Sequence, residues 1–441
     1  MFSTSSNDLP VAVLGAGPVG LAAAAHLSER GLPFVIFEAG DSVGASIKRW
    51  GHVRLFSPWR TNLDRAAQRL LKAHGWSSPA PGGYPTGADI VEQYLTPLVQ
   101  ADAIAPHVRL NHNVIGVTRQ GVDKLRDDDR EDRPFIVTTS DPAGITRTPV
   151  RAVIDATGTW LSPNPIGAEG IPAIGEEEAH HWISYGIPDV LGAERDRYAG
   201  RRVAVVGSGH SAKHAVRELA LLAEQDPATT VTWIVRRGED QRVYGNEVDA
   251  RLPERGKLGA DAHNLVSSGR VRLETGFRTE RIHVDELGIT LVSPEGQASG
   301  PFDEIIAATG LRPDFSFLRE VRVDLDPWVE STRALAPLID PNVHSCGSVP
   351  PHGAAELAHP EQGFYAIGAK SYGRAPNLLL ATGYEQARSV VAQLAGDHEA
   401  AARVELVLPA SGSSSGSSCG LKPPPEPAAP QPEPVTSACC G

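Results

Sequence analysis

The stretch Val11-Ala-Val-Leu14, followed at once by Gly15-Ala-Gly17-Pro-Val-Gly20 and by Leu-Ala-Ala-Ala-Ala-His26-Leu, constrains this chain more than any other. Four apolar residues suit a strand buried on both faces of a parallel sheet. Three glycines at G-x-G-x-x-G spacing then open an Ala/Leu-rich helix, and Phe34-Val-Ile-Phe37 supplies a second strand ending in Glu38. The result is a complete βαβ dinucleotide fingerprint, and it sets the chain in the α/β class.

Each position has a physical task. Gly15 permits the tight turn, Gly17 lets backbone amides approach a pyrophosphate, and Gly20 allows the helix to pack closely on the strand. The helix N-terminus offers unpaired N–H groups and the positive end of its dipole to the phosphates. Glu38 is placed to accept hydrogen bonds from ribose hydroxyls. A fingerprint this early in the chain points to FAD, although NAD is compatible with this stretch alone.

Of 441 residues, 41% are hydrophobic and 21% charged, enough for two or three domains around large cores. A net charge of −12 disfavours a nucleic-acid partner. No apolar run reaches the roughly 20 residues of a membrane span and no signal-peptide pattern opens the chain, so a cytoplasmic protein is expected. The four cysteines, Cys346, Cys419, Cys439 and Cys440, make no disulfide framework.

After Glu38 the loop Lys48-Arg49-Trp50 to Asn62 mixes cations, aromatics and amides where a flavin needs donors and stacking partners. Residues 64 to 105 read mostly helical and predict a cover for the flavin. Val108 to Val117 and Phe135 to Thr139 predict an antiparallel meander, with residues 123 to 133 as a solvated charged turn.

The strand Val150 to Asp155 ends in Ala156-Thr157-Gly158, and Phe302 to Ala307 ends likewise in Ala308-Thr309-Gly310. These paired turns bracket a second fingerprint, Arg202-Val-Ala-Val-Val206-Gly207-Ser-Gly209-His210-Ser211-Ala212. Ala212 stands at the third glycine's place, where only a small side chain is needed. The following strand, Val231 to Val235, ends in Arg236-Arg237 instead of an acid, which favours a 2′-phosphate and hence NADPH. Residues 239 to 270 are charged with little apolar periodicity. Gly363 to Gly368 predicts a strand and Leu378 to Ala395 a long helix.

The expected organisation is two Rossmann-like domains, the NADPH domain (161–310) inserted into an FAD domain (1–160 and 311–400). A Ser/Gly/Pro-rich tail (401–441), expected to be disordered, carries Cys419, Cys439 and Cys440.

Two fingerprints, the second inserted between two Ala-Thr-Gly turns, resemble the superfamily of flavin monooxygenases and pyridine-nucleotide disulfide oxidoreductases, over about residues 10 to 396. Thr61-Asn62 is similar to the Thr-Asn pair of flavin-containing monooxygenases, whose Asn lies near the reactive face of the flavin. His181-x-x-x-Tyr185 is similar to the end of their F-x-G-x-x-x-H-x-x-x-(W/Y/P) signature, without its upstream phenylalanine and glycine spacing; a packing histidine is the alternative. Tyr185 to Leu191, Cys346 to Gly353 and Lys370 to Pro376 look like strings in flavin monooxygenases of bacterial arsenic-resistance operons.

The resemblance implies that NADPH reduces FAD and that a C4a-(hydro)peroxyflavin passes oxygen from O₂ to a small-molecule substrate. Asn62 and Lys370 are the candidates beside the ring, with a structural lysine as the alternative for Lys370. Two other functions fit parts of the chain. An NADPH-dependent reductase of a metal, metalloid or disulfide would use Cys439-Cys440, which resembles the mobile terminal pair of mercuric reductase. A redox-sensing flavoprotein would bind As(III) or another thiophilic ion through the same thiolates.

Overall fold

The computed structural model describes residues 8–238, 243–244, 253–342, 349–375 and 378–406. Its centre is a five-stranded parallel sheet in the order Phe364–Ala366, Ala152–Asp155, Val11–Leu14, Phe34–Phe37, Val108–Arg109. Side chains alternate across it. Val11 and Val13 face the helices Pro18–Glu29 and Leu380–Leu394, whereas Ala12 and Leu14 face an antiparallel meander of Asn113–Arg119, Phe135–Asp141 and Gly144–Val150. Both faces are covered, so the strands are apolar throughout. Ala22, Ala23, Ala24 and Ala25 are fully buried, and their small side chains let the first helix press flat on the sheet.

A second parallel sheet repeats this plan. Its order is Ile183–Tyr185, Glu304–Ala307, Arg202–Val206, Thr230–Ile234, Arg272–Glu274. Val203 and Val205 face the helix His210–Gln225, and Ala204 and Val206 face a meander of Arg281–Asp285, Gly288–Val292 and Ala298–Phe302. Each fingerprint strand is central and each Ala-Thr-Gly strand lies beside it. The outermost strand comes from the C-terminal part of the chain in the first sheet and from the segment ahead of the fingerprint in the second. The doubly wound α/β class and both fingerprints are therefore as the sequence predicts.

The two halves are joined where the Ala-Thr-Gly turns lead out. Pro163 and Leu311 form an antiparallel bridge, Asn164 N donates to Gly310 O at 2.9 Å, and Arg312 N donates to Ser162 O at 2.9 Å.

Two expectations need correction, and one stretch without an assigned element contains a helix. Val108–Arg109 is not a meander strand; it extends the parallel sheet beside Phe37. The turn at 123–133 is not simply solvated. Arg130 is buried, donating to Glu361 Oε2 at 2.7 Å, and Arg119 donates to Glu361 Oε1 at 2.8 Å. A buried carboxylate needs such donors, and a distant glutamate supplied a partner that local charge patterning could not reveal. The charged stretch before residue 270 contains a helix, Pro253–Ser267, which packs on His210–Gln225 through Ala262 and Leu265. Among the described residues no helix is long and apolar enough to cross a membrane.

Candidate dinucleotide sites and the groups around them

At the C-terminal end of the first sheet, Gly15 has φ +95° and Gly20 lies so close beneath it that a Cβ there would stand 2.0 Å from the Gly15 carbonyl oxygen. Gly17 is different: a Cβ on it would meet nothing within 4 Å. It is the N-cap of Pro18–Glu29, with Pro18 opening the helix and no side chain capping it. No side chain caps the first-turn amides, which are the groups a helix N-terminus offers to an anion.

The second fingerprint repeats this geometry. Gly207 has φ +129° and a Cβ on it would stand 2.2 Å from Ala308 O. Gly209 faces open space and is the uncapped N-cap of His210–Gln225. Ala212 is fully buried where the helix meets the sheet, and Ser211 is half-buried.

Glu38 lies at the end of its strand with Oε2 accepting from Ala16 N at 2.7 Å and Oε1 from Gly40 N at 2.8 Å. These bonds fix the carboxylate and leave further lone pairs on each oxygen. Arg236 and Arg237 are exposed just beyond Thr230–Ile234, with Arg236 donating to Ala168 O at 3.2 Å.

The loop after Glu38 is divided. Lys48 is exposed and donates to Ser42 Oγ at 2.7 Å. Trp50 packs on Trp160 with centroids 6.3 Å apart. Arg49 lines a cavity of about 270 Å³ between the halves with Trp160, Tyr185, Pro188 and Glu194. His181 is exposed, its ring against His180 at 3.8 Å, so it packs no core. Tyr185 donates to Glu176 Oε1 at 2.5 Å.

Asn62 and Lys370 are both enclosed. The Asn62 carboxamide donates to Ser57 O at 2.7 Å and accepts from Ser57 Oγ at 2.8 Å, while its carbonyl accepts from Tyr384 at 2.9 Å. Lys370 Nζ lies 2.5 Å from Asp155 Oδ2 and 3.1 Å from Thr157 Oγ1, with both ion-pair partners fully buried. The ammonium also stands over Phe317 and Phe315, at 4.3 and 5.0 Å. It does not bond helix-end carbonyls; it ties the Gly368–Tyr372 turn to the first Ala-Thr-Gly turn. Thr157 N and Oγ1 donate to Asp155 Oδ1, Gly158 has φ +71°, and Thr309 Oγ1 donates to Asn164 O at 2.5 Å beside Gly310 at φ +93°.

A network absent from the sequence reading holds the same turn. Gln386, fully buried, accepts from Gly368 N at 2.7 Å and donates to Ser371 Oγ at 2.9 Å and to His352 Nε2 at 2.8 Å. His352 Nδ1 faces Pro350 O at 3.1 Å, which makes its Nε2 the acceptor and the ring neutral. Burial holds the His352 pKa below its ordinary 6.5. The stability from this network is thus complete above pH 6.5 and declines as pH falls below it. Gln386→Leu leaves the Gly368 amide and His352 unpartnered, an expected cost of about 2–4 kcal/mol in urea denaturation at pH 8. No local motif marks Gln386, because its partners lie in other segments.

The sequence candidates Cys346, Cys419, Cys439 and Cys440 lie outside the described residues. Among the described residues no group of three or more His, Cys, Asp or Glu could hold a metal ion.

Comparison with known proteins places this geometry. A ferredoxin–NADP reductase of Lactobacillus delbrueckii subsp. bulgaricus is 24% identical over 318 residues, 71% of this chain and 79% of that protein. The structure of a bacillithiol disulfide reductase from Bacillus cereus superposes with a TM-score of 0.65 at 19% identity, covering 88% of this chain and 99% of that one. That of a cadaverine monooxygenase from Erwinia amylovora, bound to FAD, superposes with a TM-score of 0.61 at 15% identity, covering 92% and 99%. Residues 12–345, which hold both glycine turns and both Ala-Thr-Gly turns, match the pyridine nucleotide-disulphide oxidoreductase model, and the chain belongs to that family.

Proposed function

We propose that this oxidoreductase holds FAD at Gly15, Gly17, Gly20 and Glu38 and NADPH at Gly207, Gly209, Ser211 and Ala212, and that it is a monooxygenase of a small molecule. The observation that carries the two-cofactor reading is the paired cradle. Gly17 and Gly209 each face open space below an uncapped helix N-terminus, while Gly15, Gly20 and Gly207 are too crowded for any side chain. The residues present fit both dinucleotides.

When bound, the flavin supplies hydride acceptance and oxygen activation. The chain's own residues do the rest. Amides at the two helix N-termini bind the pyrophosphates and Glu38 orients the ribose. Lys48 and Trp50 flank the flavin side of the cleft, while Arg49 faces the second half. Thr157, Gly158, Thr309 and Gly310 shape the crossing between the cradles. Asn62 and Lys370 are positioning residues, holding the Ser57–Asn62 loop and the Gly368–Tyr372 turn. Small-molecule oxygenation is favoured over disulfide reduction because Cys346 is the single cysteine before the tail, whereas electrons leave such reductases through a thiol pair.

Arg236 and Arg237 select the 2′-phosphate. Replacing both by Gln is expected to raise the KM for NADPH about 10- to 100-fold and to leave that for NADH unchanged in steady-state assays.

A second reading, an NADPH-dependent reductase passing electrons to an external acceptor, is favoured by the 24% identical ferredoxin–NADP reductase. The stoichiometry of NADPH and O₂ consumed against H₂O₂ released separates the two. With arsenicals, sulfides and amines offered in turn, a substrate that suppresses H₂O₂ and appears oxygenated supports the monooxygenase. NADPH oxidation coupled only to an acceptor under anaerobic conditions supports the reductase. The arsenic-resistance connection and thiophilic-ion binding by Cys439 and Cys440, with Cys419 as a third sulfur, belong to the same proposal. Unchanged As(III) affinity on deleting residues 410–441 removes the tail from it.

A further inference from the structure

The loop after Glu38 and the segment around Tyr185 enclose a cavity of about 270 Å³ where the halves meet, and no residue of either glycine turn lines it. At the ~30 Å³ that each water occupies in the liquid, such a volume takes a molecule of roughly nine non-hydrogen atoms.

Contacts outside the cavity fix its walls. The Trp160 indole lies between Trp50, whose centroid is 6.3 Å away, and Gly186, where a Cβ would stand 3.1 Å from the ring. Trp50 is seated in turn on Gly87, where a Cβ would stand 2.8 Å from its ring. Both glycines make room for an indole. Tyr185 is held by its hydroxyl, which donates to Glu176 Oε1 at 2.5 Å; Glu176 is buried and accepts from Ile166 N and Ala173 N, each at 2.8 Å. Ser184 Oγ accepts from Tyr198 at 2.8 Å and keeps its own proton to donate. Glu194 is anchored on Asp189, donating its amide to Asp189 O at 2.9 Å and accepting from Asp189 N at 3.3 Å through Oε1. Walls fixed in this way lose little freedom when a ligand enters.

Arg49 differs from the rest. It comes from the first half, is exposed, and forms no ion pair with a described residue, Glu194 included, although both line the cavity. A guanidinium and a carboxylate that share a small cavity without touching are matched by a ligand carrying both charges. A lone anion would satisfy Arg49 and set a like charge beside Glu194, and a lone cation would do the reverse. Trp160 and Tyr185 favour the cationic end, since an aromatic face attracts an ammonium, and the planar fork of Arg49 matches a carboxylate.

We propose that this cavity binds one small zwitterion, an aminocarboxylate whose carboxylate pairs with Arg49 and whose ammonium lies among Glu194, Trp160 and Tyr185. Arg49 belongs to the first half and Glu194 to the second, so the ligand bridges the halves beside the Ala156-Thr157-Gly158 turn that leads to Trp160. The site stands on its own lining residues and does not rest on either cofactor.

Calorimetric titration of the full chain tests this with glycine, β-alanine, γ-aminobutyrate, δ-aminovalerate and ε-aminocaproate, and with butyrate and butylamine as single-charge probes. One length in the series is expected to bind with a Kd of about 1 mM or tighter, at least about tenfold more tightly than either single-charge probe. Glu194→Gln and Arg49→Gln are each expected to weaken that ligand about tenfold and to change the preference in opposite directions. Butyrate then binds Glu194→Gln as well as the zwitterion does, and butylamine does so for Arg49→Gln, a crossed result that general loosening of the fold would not produce. The site is overturned if no member of the series binds, if a single-charge probe matches the best zwitterion on the wild type, or if the variants keep the wild-type order of preference. Competitive displacement by NADP+ also overturns it, by giving the cavity to the dinucleotide. No flavin or nicotinamide signal is read, so a negative titration leaves the FAD and NADPH assignment untouched.

Discussion

Gly17→Ala is expected to fold as well as the wild type and to be purified without its yellow colour. Gly17 has φ −81° and ψ −175°, a backbone any residue adopts, and its Cβ would enter empty space, so no folding penalty follows. In the proposed FAD site that space is where the pyrophosphate approaches the amides. A methyl group there is expected to weaken flavin binding by about 2 kcal/mol or more. Gly20→Ala is the opposite case. Its Cβ would press against the Gly15 carbonyl, and the helix must lift from the sheet at an expected cost of about 1–3 kcal/mol. Urea denaturation of the two apoproteins, with flavin absorbance after reconstitution, separates the effects. Full flavin retention by Gly17→Ala would remove the first fingerprint from cofactor binding. The equivalent change at Gly209 is expected to raise the KM for NADPH and to leave the colour intact.

Lys370→Met should cost about 3–5 kcal/mol, because it strands the Asp155 carboxylate in a fully buried position. Asp155→Leu alone strands the ammonium and should cost a similar amount. The double variant is expected to recover much of the loss, since replacing both partners by apolar groups removes the unpaired charge. A double-mutant cycle in urea measures this. If Lys370→Met loses less than 1 kcal/mol yet uncouples NADPH oxidation, Lys370 acts on the flavin instead of through the turn.

How much of this could be read in advance follows from where the physical constraint lies. Both fingerprints were legible because every element is local: four or five apolar residues, glycines at fixed spacing, a small residue at the helix contact. The strand ends at Glu38 and at Arg236-Arg237 were legible for the same reason. Arg130, read as part of a solvated turn, was not, because its partner Glu361 lies 231 residues away. Gln386, His352 and Ser371 come together only when the last helix lies beside the Gly368 turn. The helix Pro253–Ser267 was hidden because Gly256, Gly259 and interspersed charges blur its apolar stripe, and packing on His210–Gln225 sets its face.

The sequence by itself determined the class of fold, two glycine turns each opening a helix and the order in which the chain visits them, since short-range spacing dictates strand, turn and helix. Only the tertiary structure decided that Lys370 and Asn62 are enclosed, and that Arg49 faces the second half across a cavity it shares with Glu194. Those outcomes depend on which distant side chains share a buried volume, where the demand for a hydrogen-bond or charge partner overrides anything written in the neighbouring residues.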